Sequence, residues 1–451
     1  MCGRKIWVNK CNGQMKNLMK RIITSLFALV AVVGTALAQV PQPAEPQSEP
    51  ILLMNATAHL GNGEVIENSA IAFENGKITM VVDATVARID MSKYKVYQLA
   101  GKHVYPGLIL PSTNLGLTEV NAVRATRDFS EVGTYTPNVR AQVAYNTDSE
   151  IIATLRFNGI LLAQATPSGG RITGTSSIMK LDGWNWEDAT YKQDDGIHLN
   201  WPNRYRRTGW WAEPGPTEVS DNYQEQVDGV VAYLAEAKAY AKGTPKGVNL
   251  AFEAMKGLWD GSKILYIAVD EGKSIVDAVN LAKEAGVQRM VIVGGQDALT
   301  VAKFLVEEEV PVLLSDVHRL PRTPESDVDM PYKLPYLLTD AGVKVGLLHG
   351  SVTNARNLAF YAGTAAGYGL GKEEALKLVT SNTAEILGIG DQVGTIATGQ
   401  RAMLVVSTGD LLDMRTNNVV QAFIDGAELH LPGKQQALYE RFRDKYGIEE
   451  E

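Results

Sequence analysis

Six polar side chains follow apolar runs in the middle of the chain, where buried strands are expected to end. They are Asn114, Gln164, Asp270, Asp316, His318 and His349. Imidazole, carboxylate and amide groups can hold a metal ion, move a proton or hydrogen-bond a small ligand. We therefore treat the six as candidates for one ligand pocket. Because no H-x-H or H-x3-H spacing links them, the alternative is that they cap loops and helices.

The elements that would position these residues alternate regularly between strand and helix. From Tyr105 to about Ile386, apolar runs such as ILYIAV and MVIVGG alternate with amphipathic segments. This alternation predicts a parallel sheet with right-handed crossovers. We expect an α/β fold, a (β/α)8 TIM-like barrel over residues 105–386, because many units follow at short intervals. A doubly wound open sheet is the competing arrangement.

Short strands flank this region on both sides. Residues 51–104 and 387–431 contain alternating apolar runs, and each part has a hairpin signal, Asn75-Gly76 and Asp425-Gly426. We expect these strands to pair in one discontinuous β-sandwich domain built from both chain ends. Residues 432–451 are predicted to end the chain in a charged helix.

The amino-terminal segment has the pattern of an export signal. A basic stretch from Met15 to Arg21, an apolar run and Ala36-Leu37-Ala38 predict a signal peptide over residues 1–38, with Met15 as its start. Residues 39–50 form a proline-rich tether. We expect a periplasmic or extracellular protein without stable membrane insertion.

Export also changes the charge and the cysteine content. Removing residues 1–38 takes six basic residues, no acidic ones and both cysteines, which leaves a net charge of −14. Such an acidic chain is not expected to bind nucleic acid, because like charges repel. Without cysteine, a thiolate nucleophile, a thiolate metal site and a disulfide are all excluded from the mature protein.

Two stretches of the chain carry a family pattern: GKHVYPGLIL (residues 101–110), and residues 354–406, which begin NARNLAFYAG and include GLGKEEALKLVTSNTAEILG. The first resembles the opening of the first barrel strand of the amidohydrolase superfamily. The second resembles the last helices and closing strands of its imidazolonepropionase-like members. The resemblance implies a barrel with a composite β-sandwich. It also implies metal-dependent hydrolysis of carbon–nitrogen bonds other than peptide bonds.

The same resemblance shows that the usual metal ligands are missing. The positions where the family has histidine or aspartate hold Ser112, Asn114, Ala268, Gly295 (or Gly294) and Ser351 (or Gly350). Glycine and alanine cannot coordinate a metal through their side chains, and serine and asparagine are weak neutral ligands. We therefore assign no catalytic residue and expect no cofactor. Zinc would bind only if a non-standard site exists.

Two functions remain open at this point. One is a hydrolase with an unusual or residual site, and the other is a non-catalytic relative that binds a small molecule. An alternative role for the second is pairing with a related catalytic amidohydrolase through the barrel and the Trp210-Trp211 loop, within an aromatic and arginine-rich segment (195–216). That segment is otherwise interpreted as a plug over the barrel.

A glycine-rich segment and four further histidines also give predictions. The glycine-rich segment 167–177 is expected to be a loop at the barrel mouth, with anion binding as the less favoured alternative. The remaining histidines are expected to lie on the small sheet or in loops as surface or packing residues: His59, His103, His198 and His430.

Overall fold

A computed structural model describes residues 42–210, 212–244, 247–321, 325–431 and 433–448. The predicted signal segment and Trp211 therefore lie outside the described residues. Within them, no helix is both long and apolar enough to cross a membrane.

The larger sheet has eight strands, and its two edge strands come close to each other. The strands are β6 (Leu108–Thr113), β7 (Ile160–Ala165), β8 (Ile172–Lys180), β9 (Thr190–Asn200), β12 (Ile264–Val269), β13 (Met290–Gly294), β14 (Val312–Ser315) and β15 (Val345–Leu348). Their order is β15-β14-β13-β12-β9-β8-β7-β6. Every pairing is parallel except those of β8, which runs antiparallel to both β7 and β9.

Main-chain hydrogen bonds from a connecting segment link the two edges. The amide of Leu347 in β15 donates to Leu378 O at 3.0 Å, and the amide of Ile109 in β6 donates to Val379 O at 2.9 Å. Residues 378 and 379 thus satisfy backbone groups that neighbouring strands would otherwise pair. The result is a nearly closed barrel, which confirms the predicted fold class.

Helices follow most of the parallel strands. They are α1 (Ala141–Ala144), α2 (Glu150–Phe157), α3 (Trp186–Ala189), α4 (Tyr223–Lys242), α5 (Leu250–Met255), α6 (Gly257–Asp260), α7 (Gly272–Glu284), α8 (Ala302–Glu307), α9 (Met330–Asp340), α10 (Leu358–Ala365), α11 (Lys372–Lys377), α12 (Ser381–Ile386) and α13 (Lys434–Tyr446). Short 3-10 turns lie at Met91–Lys93, Arg124–Thr126, Ala298–Val301 and Asn354–Asn357, and Ala366–Leu370 is π-helical. Helix α7 shows how such an element begins, because the Glu271 carboxylate accepts hydrogen bonds from the amides of Lys273 and Ser274.

The structure corrects two predictions about irregular segments. Most of residues 167–177 belongs to strand β8, and only residues 167–171 form the turn after β7. All six residues from Ile172 to Ser177 are buried in this strand, which the glycine and hydroxyl content of the sequence obscured. Residues 195–200 belong to β9, and the rest of segment 195–216 enters a hairpin of β10 (Tyr205–Trp210) and β11 (Glu213–Val219).

The smaller sheet combines strands from both ends of the described chain. It contains β1 (Ile51–His59), β2 (Val65–Glu74), β3 (Lys77–Asp83), β4 (Lys95–Gln98), β5 (His103–Pro106), β16 (Leu404–Ser407), β17 (Val419–Ile424) and β18 (Ala427–Glu428). Strand β16 pairs with β5, which joins the two sets. Asn75 and Gly76 both have positive φ, as do Asp425 and Gly426, which is the geometry of tight hairpin turns.

Candidate functional site

The carboxyl ends of the parallel strands meet at one rim, which we call the barrel mouth. It is formed by residues 112–114, 268–270, 294–296, 316–318 and 349–351, which end or follow β6, β12, β13, β14 and β15. Ligands of parallel α/β sheets bind at this end, because the loops there converge above the strands. The mouth is therefore the region in which to test the predicted site residues.

The first strand contributes two neutral side chains to the mouth. The amide of Asn114 donates a hydrogen bond to Thr166 O at 2.7 Å. Ser112 has a positive φ of 47°, and its backbone amide donates to Gln164 Oε1 at 3.0 Å. These contacts hold β6 against β7, so both residues serve the local backbone at the place where the family pattern has two histidines.

Asp270 lies beside Gly294, which with Gly295 is one of the two glycines that stand where the family has a metal ligand after β13. A Cβ atom built on Gly294 would lie 2.6 Å from Asp270 Oδ1, and Gly294 itself has a φ of +100°. The same carboxylate oxygen accepts a hydrogen bond from the Gln296 amide at 3.3 Å. Asp270 therefore stabilises the loop after β13, and a longer side chain at Gly294 would require that carboxylate to move.

Asp316 and His349 form the only close pair of predicted candidates among the contacts described for the mouth. His349 Nε2 lies 3.6 Å from Asp316 Oδ1. The Nδ1 atom of His349 accepts a hydrogen bond from the Ser351 amide at 2.8 Å. This bond places the ring proton on Nε2, facing the carboxylate, so the pair is oriented by its own loop.

His318 lies near that pair, and its ring nitrogen bonds to a residue of a neighbouring helix. Its Nε2 atom lies 2.6 Å from Thr364 Oγ1 on helix α10. Its ring packs edge-on against the Tyr361 ring, with 4.5 Å between centroids. Partial burial and the nearby His349 lower the pKa of His318, so its neutral form is favoured. The structure thus brings Asp316 and His349 together and leaves His318 bonded to a neighbouring helix.

Gln164 lies near the carboxyl end of β7 and bonds to the amide of Ser112 at the mouth, but its side chain is fully buried and also contacts residues inside the barrel. Its amide donates to Asp195 Oδ2 at 2.7 Å and to Ser176 Oγ at 3.3 Å. The Ser176 hydroxyl and the Tyr266 hydroxyl also donate to Asp195, each at 2.9 Å. We call these four residues the interior network. The long side chain of Gln164 reaches inward because β7 places alternate residues toward the barrel axis.

Burial has opposing effects on the carboxyl group at the centre of this network. Desolvation raises the pKa of Asp195, and the hydrogen bonds from Ser176, Gln164 and Tyr266 act against that rise. Sequence reasoning did not find this group, since Asp195 begins the segment 195–216, in which no periodic pattern indicated a strand. Only the pairing of β7, β8, β9 and β12 brings the four side chains together.

His198 lies beside the network on β9, and not on the small sheet or in a loop as predicted. Its ring stacks on the Tyr266 ring at 4.6 Å between centroids and 12° between planes. Its Nε2 atom is buried and has no hydrogen-bond partner among the described residues. Burial lowers the pKa of His198 to about 3, so the ring is neutral.

The residues of the mouth do not fit the metal site of the family. Ala268 and Gly294 offer no ligand atom, and the Asp270 carboxylate fills the space where a side chain on Gly294 would project. In the described part of the chain, no group of three or more histidine, cysteine, aspartate or glutamate residues is arranged to hold a metal ion. A tightly bound divalent cation needs several converging charged or imidazole ligands, and the donor set here lacks them.

The nearly closed eight-stranded barrel has the fold of several solved structures. An amidohydrolase from Thermotoga maritima has the same fold, with a TM-score of 0.73 at 23% identity over 84% of this chain and 99% of that one. A putative prolidase from Bifidobacterium longum gives a TM-score of 0.51 at 16% identity, over 89% and 100% of the two chains.

Sequence comparison finds a similarity to one family over part of the chain. Residues 261–429 match the profile of the Amidohydrolase family, which confirms the predicted resemblance at the level of the superfamily. A curated relative, amidohydrolase tasK of Hapsidospora irregularis, is 37% identical over 117 residues. That match covers 24% of this chain and 12% of the relative, so it spans a small part of that protein. The imidazolonepropionase-like subtype stays a prediction.

Proposed function

We propose that this protein is a hydrolase-related member of the amidohydrolase superfamily whose metal site is impaired, and that it binds a small polar molecule at the barrel mouth. The observation that carries this proposal is the contact between Asp270 and Gly294, because a carboxylate of the chain itself occupies the place of a ligand side chain. Catalysis by the family depends on a metal that lowers the pKa of a bound water. The residues that the structure describes include no group of ligands arranged to hold such a metal.

The mouth retains groups that suit recognition by hydrogen bonds. The Asp316 carboxylate is partly exposed, and its contacts include the Gly350 amide and the His349 ring. A ligand with N–H or O–H groups would find an acceptor at Asp316 and a further polar side chain at Asn114. Such a pocket selects by hydrogen-bond geometry, since an unmatched buried polar group is costly.

Metal content and hydrolysis measured together test the impaired site. We expect the protein purified in the presence of zinc to hold less than a tenth of an equivalent by atomic emission. We also expect no zinc-dependent hydrolysis of a panel of N-acyl amino acids, cyclic amides and ring ureas. Near one equivalent of zinc, lost in a His318→Ala/His349→Ala variant and kept in a His430→Ala control, would contradict the proposal.

A second candidate function is pairing with a related catalytic amidohydrolase. The β10–β11 hairpin favours it, because no described residue of its two strands is buried and three apolar side chains are well exposed: Tyr205 49%, Trp210 55% and Val219 66%. An isolated hairpin is only marginally stable in water, so a covering partner would add stability. Trp211 belongs to the predicted contact and lies outside the described residues.

Co-expression with a catalytic relative tests this pairing. We expect a stoichiometric complex in light scattering that is lost in a Trp210→Ala variant. A Trp184→Ala variant is the matched control, because Trp184 is also exposed, at 67%, and lies outside the hairpin. Absence of a complex, or equal loss in both variants, would count against the partner function.

We also propose export on the basis of the basic, apolar and small-residue pattern before Gln39. Amino-terminal sequencing of protein from the periplasmic fraction is expected to begin at Gln39. Protein recovered only from the cytoplasm, with residues 1–38 attached, would refute export.

A further inference from the structure

A cavity of about 540 Å³ lies at the opposite end of the barrel from the mouth. It is formed by the turns that lead into four consecutive parallel strands, β12 to β15. Its walls include Ile264, Val287, Arg289, Glu309, Gly342 and Lys344. Its size falls within the range of small-molecule sites, and none of the predicted mouth residues lines it.

Strand register brings one cation and one carboxylate side by side at this end. Ile292 of β13 pairs with Val312 of β14. Arg289 and Glu309 each precede their pairing residue by three positions, so they begin neighbouring strands at the same level. Both line the cavity. The left-handed backbone of Glu309, with a φ of 55°, marks the sharp turn by which the chain enters β14.

Among the described residues, Arg289 and Glu309 differ from the other charged residues of the cavity because they have no ion-pair partner. Lys283 pairs with Glu308, and Lys344 pairs with Glu385. In the described part of the chain, the side chains of Arg289 and Glu309 make neither an ion pair nor a hydrogen bond. One guanidinium and one carboxylate are therefore available to a ligand in the same cavity.

The charge balance of the lining selects among ligand classes. Three basic and three acidic residues line the cavity: Lys283, Arg289, Lys344, Glu308, Glu309 and Glu385. A simple anion would be attracted by Arg289 and repelled by Glu309, and a simple cation would meet the reverse. A zwitterion satisfies both, since guanidinium binds carboxylate through two parallel hydrogen bonds and a carboxylate accepts from an ammonium group.

Apart from Gln288, the uncharged side chains of the lining are apolar. Val287, Val310, Val343 and Ile386 face the cavity between the charged residues. We propose that this cavity binds an α-amino acid with an aliphatic side chain. Its carboxylate would bind Arg289, its ammonium group would bind Glu309, and its side chain would contact the valines. This site is separate from the mouth and does not depend on the function proposed there.

Calorimetric titration of the full chain with L-leucine tests the site. 4-Methylpentanoate lacks the ammonium group, and 3-methylbutylamine lacks the carboxylate. We expect saturable binding of L-leucine, and at least tenfold weaker binding of either analogue. Arg289→Gln and Glu309→Gln are each expected to weaken L-leucine binding at least tenfold, whereas Arg289→Lys should retain part of it.

Two controls make the result decisive. Lys303→Gln changes a lysine that is 90% exposed on helix α8 and does not line the cavity, and it should leave binding unchanged. Asp316→Asn changes the mouth and should also leave binding unchanged. Circular dichroism checks that every variant is folded. Lack of L-leucine binding, equal binding by Arg289→Gln, or loss only in Asp316→Asn would overturn the proposal.

Discussion

The interior and the mouth of the same barrel use polar residues in opposite ways. Inside, Asp195 accepts hydrogen bonds from three side chains that come from three other strands. At the mouth, Asn114 and Asp270 each form a hydrogen bond with a backbone group of a neighbouring rim segment. The interior carboxylate therefore joins side chains from four strands, whereas each of these mouth contacts links two neighbouring segments. This difference predicts where substitutions affect stability and where they affect binding.

Asp195→Ala is expected to have the largest effect. It leaves the amide of Gln164 and the hydroxyls of Ser176 and Tyr266 buried without their acceptor, which should lower the free energy of unfolding by about 3–5 kcal/mol. Urea unfolding measures the loss. Asp316→Ala at the mouth is the matched variant, with an expected loss below about 1 kcal/mol. Equal losses would erase the contrast between the two regions.

Acid should destabilise the interior through His198. Its pKa is lowered to about 3 in the folded protein, against 6.5 ordinarily. Below pH 6.5 the unfolded chain therefore binds a proton at this ring that the folded chain does not bind. The contribution of His198 to the free energy of unfolding is fully present above pH 6.5 and falls by about 1.4 kcal/mol per pH unit below it.

A comparison of variants isolates this effect. The difference in unfolding free energy between pH 7 and pH 5 should be about 2 kcal/mol smaller for His198→Phe than for the unmodified protein. His430→Gln, which changes an exposed histidine, should behave like the unmodified protein. An unchanged pH dependence in His198→Phe would show that this ring titrates in the folded state.

Gly294→Ala tests the tight contact at the mouth. The new Cβ would approach Asp270 Oδ1 at 2.6 Å with φ at +100°, so we expect a loss of about 2–3 kcal/mol in unfolding free energy. Gly101→Ala has a similar positive φ of 77° but meets no atom within 4 Å, and should cost about 1 kcal/mol. Similar losses would mean that backbone conformation alone explains the effect.

Trp210→Ala should have the smallest effect on stability. The side chain is 55% exposed on a hairpin without a buried face, so the change in unfolding free energy is expected to stay below about 0.5 kcal/mol. A larger loss, measured in the isolated chain by urea unfolding, would show that the hairpin already has a packing role without any partner.

Sequence reasoning predicted the barrel because it rests on repeated local patterns. The apolar runs of β12 to β15 and the amphipathic helix α7 each carry their own signal, and their order implies parallel pairing. Strand β8 was missed because GGRITGTSS has the glycine and hydroxyl content of a loop. An antiparallel strand also breaks the series of crossovers on which the prediction depended.

The mouth was easier to predict than the interior for a geometric reason. Residues that follow parallel strands share one rim whatever the details of packing, so Asn114, Asp270 and Asp316 could be placed from strand ends alone. The interior network needs the direction of each side chain and the register of four strands. Neither is available from spacing, so the buried contacts of Gln164 with Asp195 and Ser176 could not be predicted.

The reversed direction of β8 has a consequence for how the chain acquires its structure. Strands β7, β8 and β9 form an antiparallel meander in which pairing strands are close in sequence. Two parallel strands, by contrast, can pair only after the longer segment that connects them has folded back. Short loops cost less entropy to close, so this meander is the natural early unit of an otherwise slow topology. Pulsed hydrogen exchange during refolding should then protect amides of β8 before those of β14, and the opposite order would exclude this route.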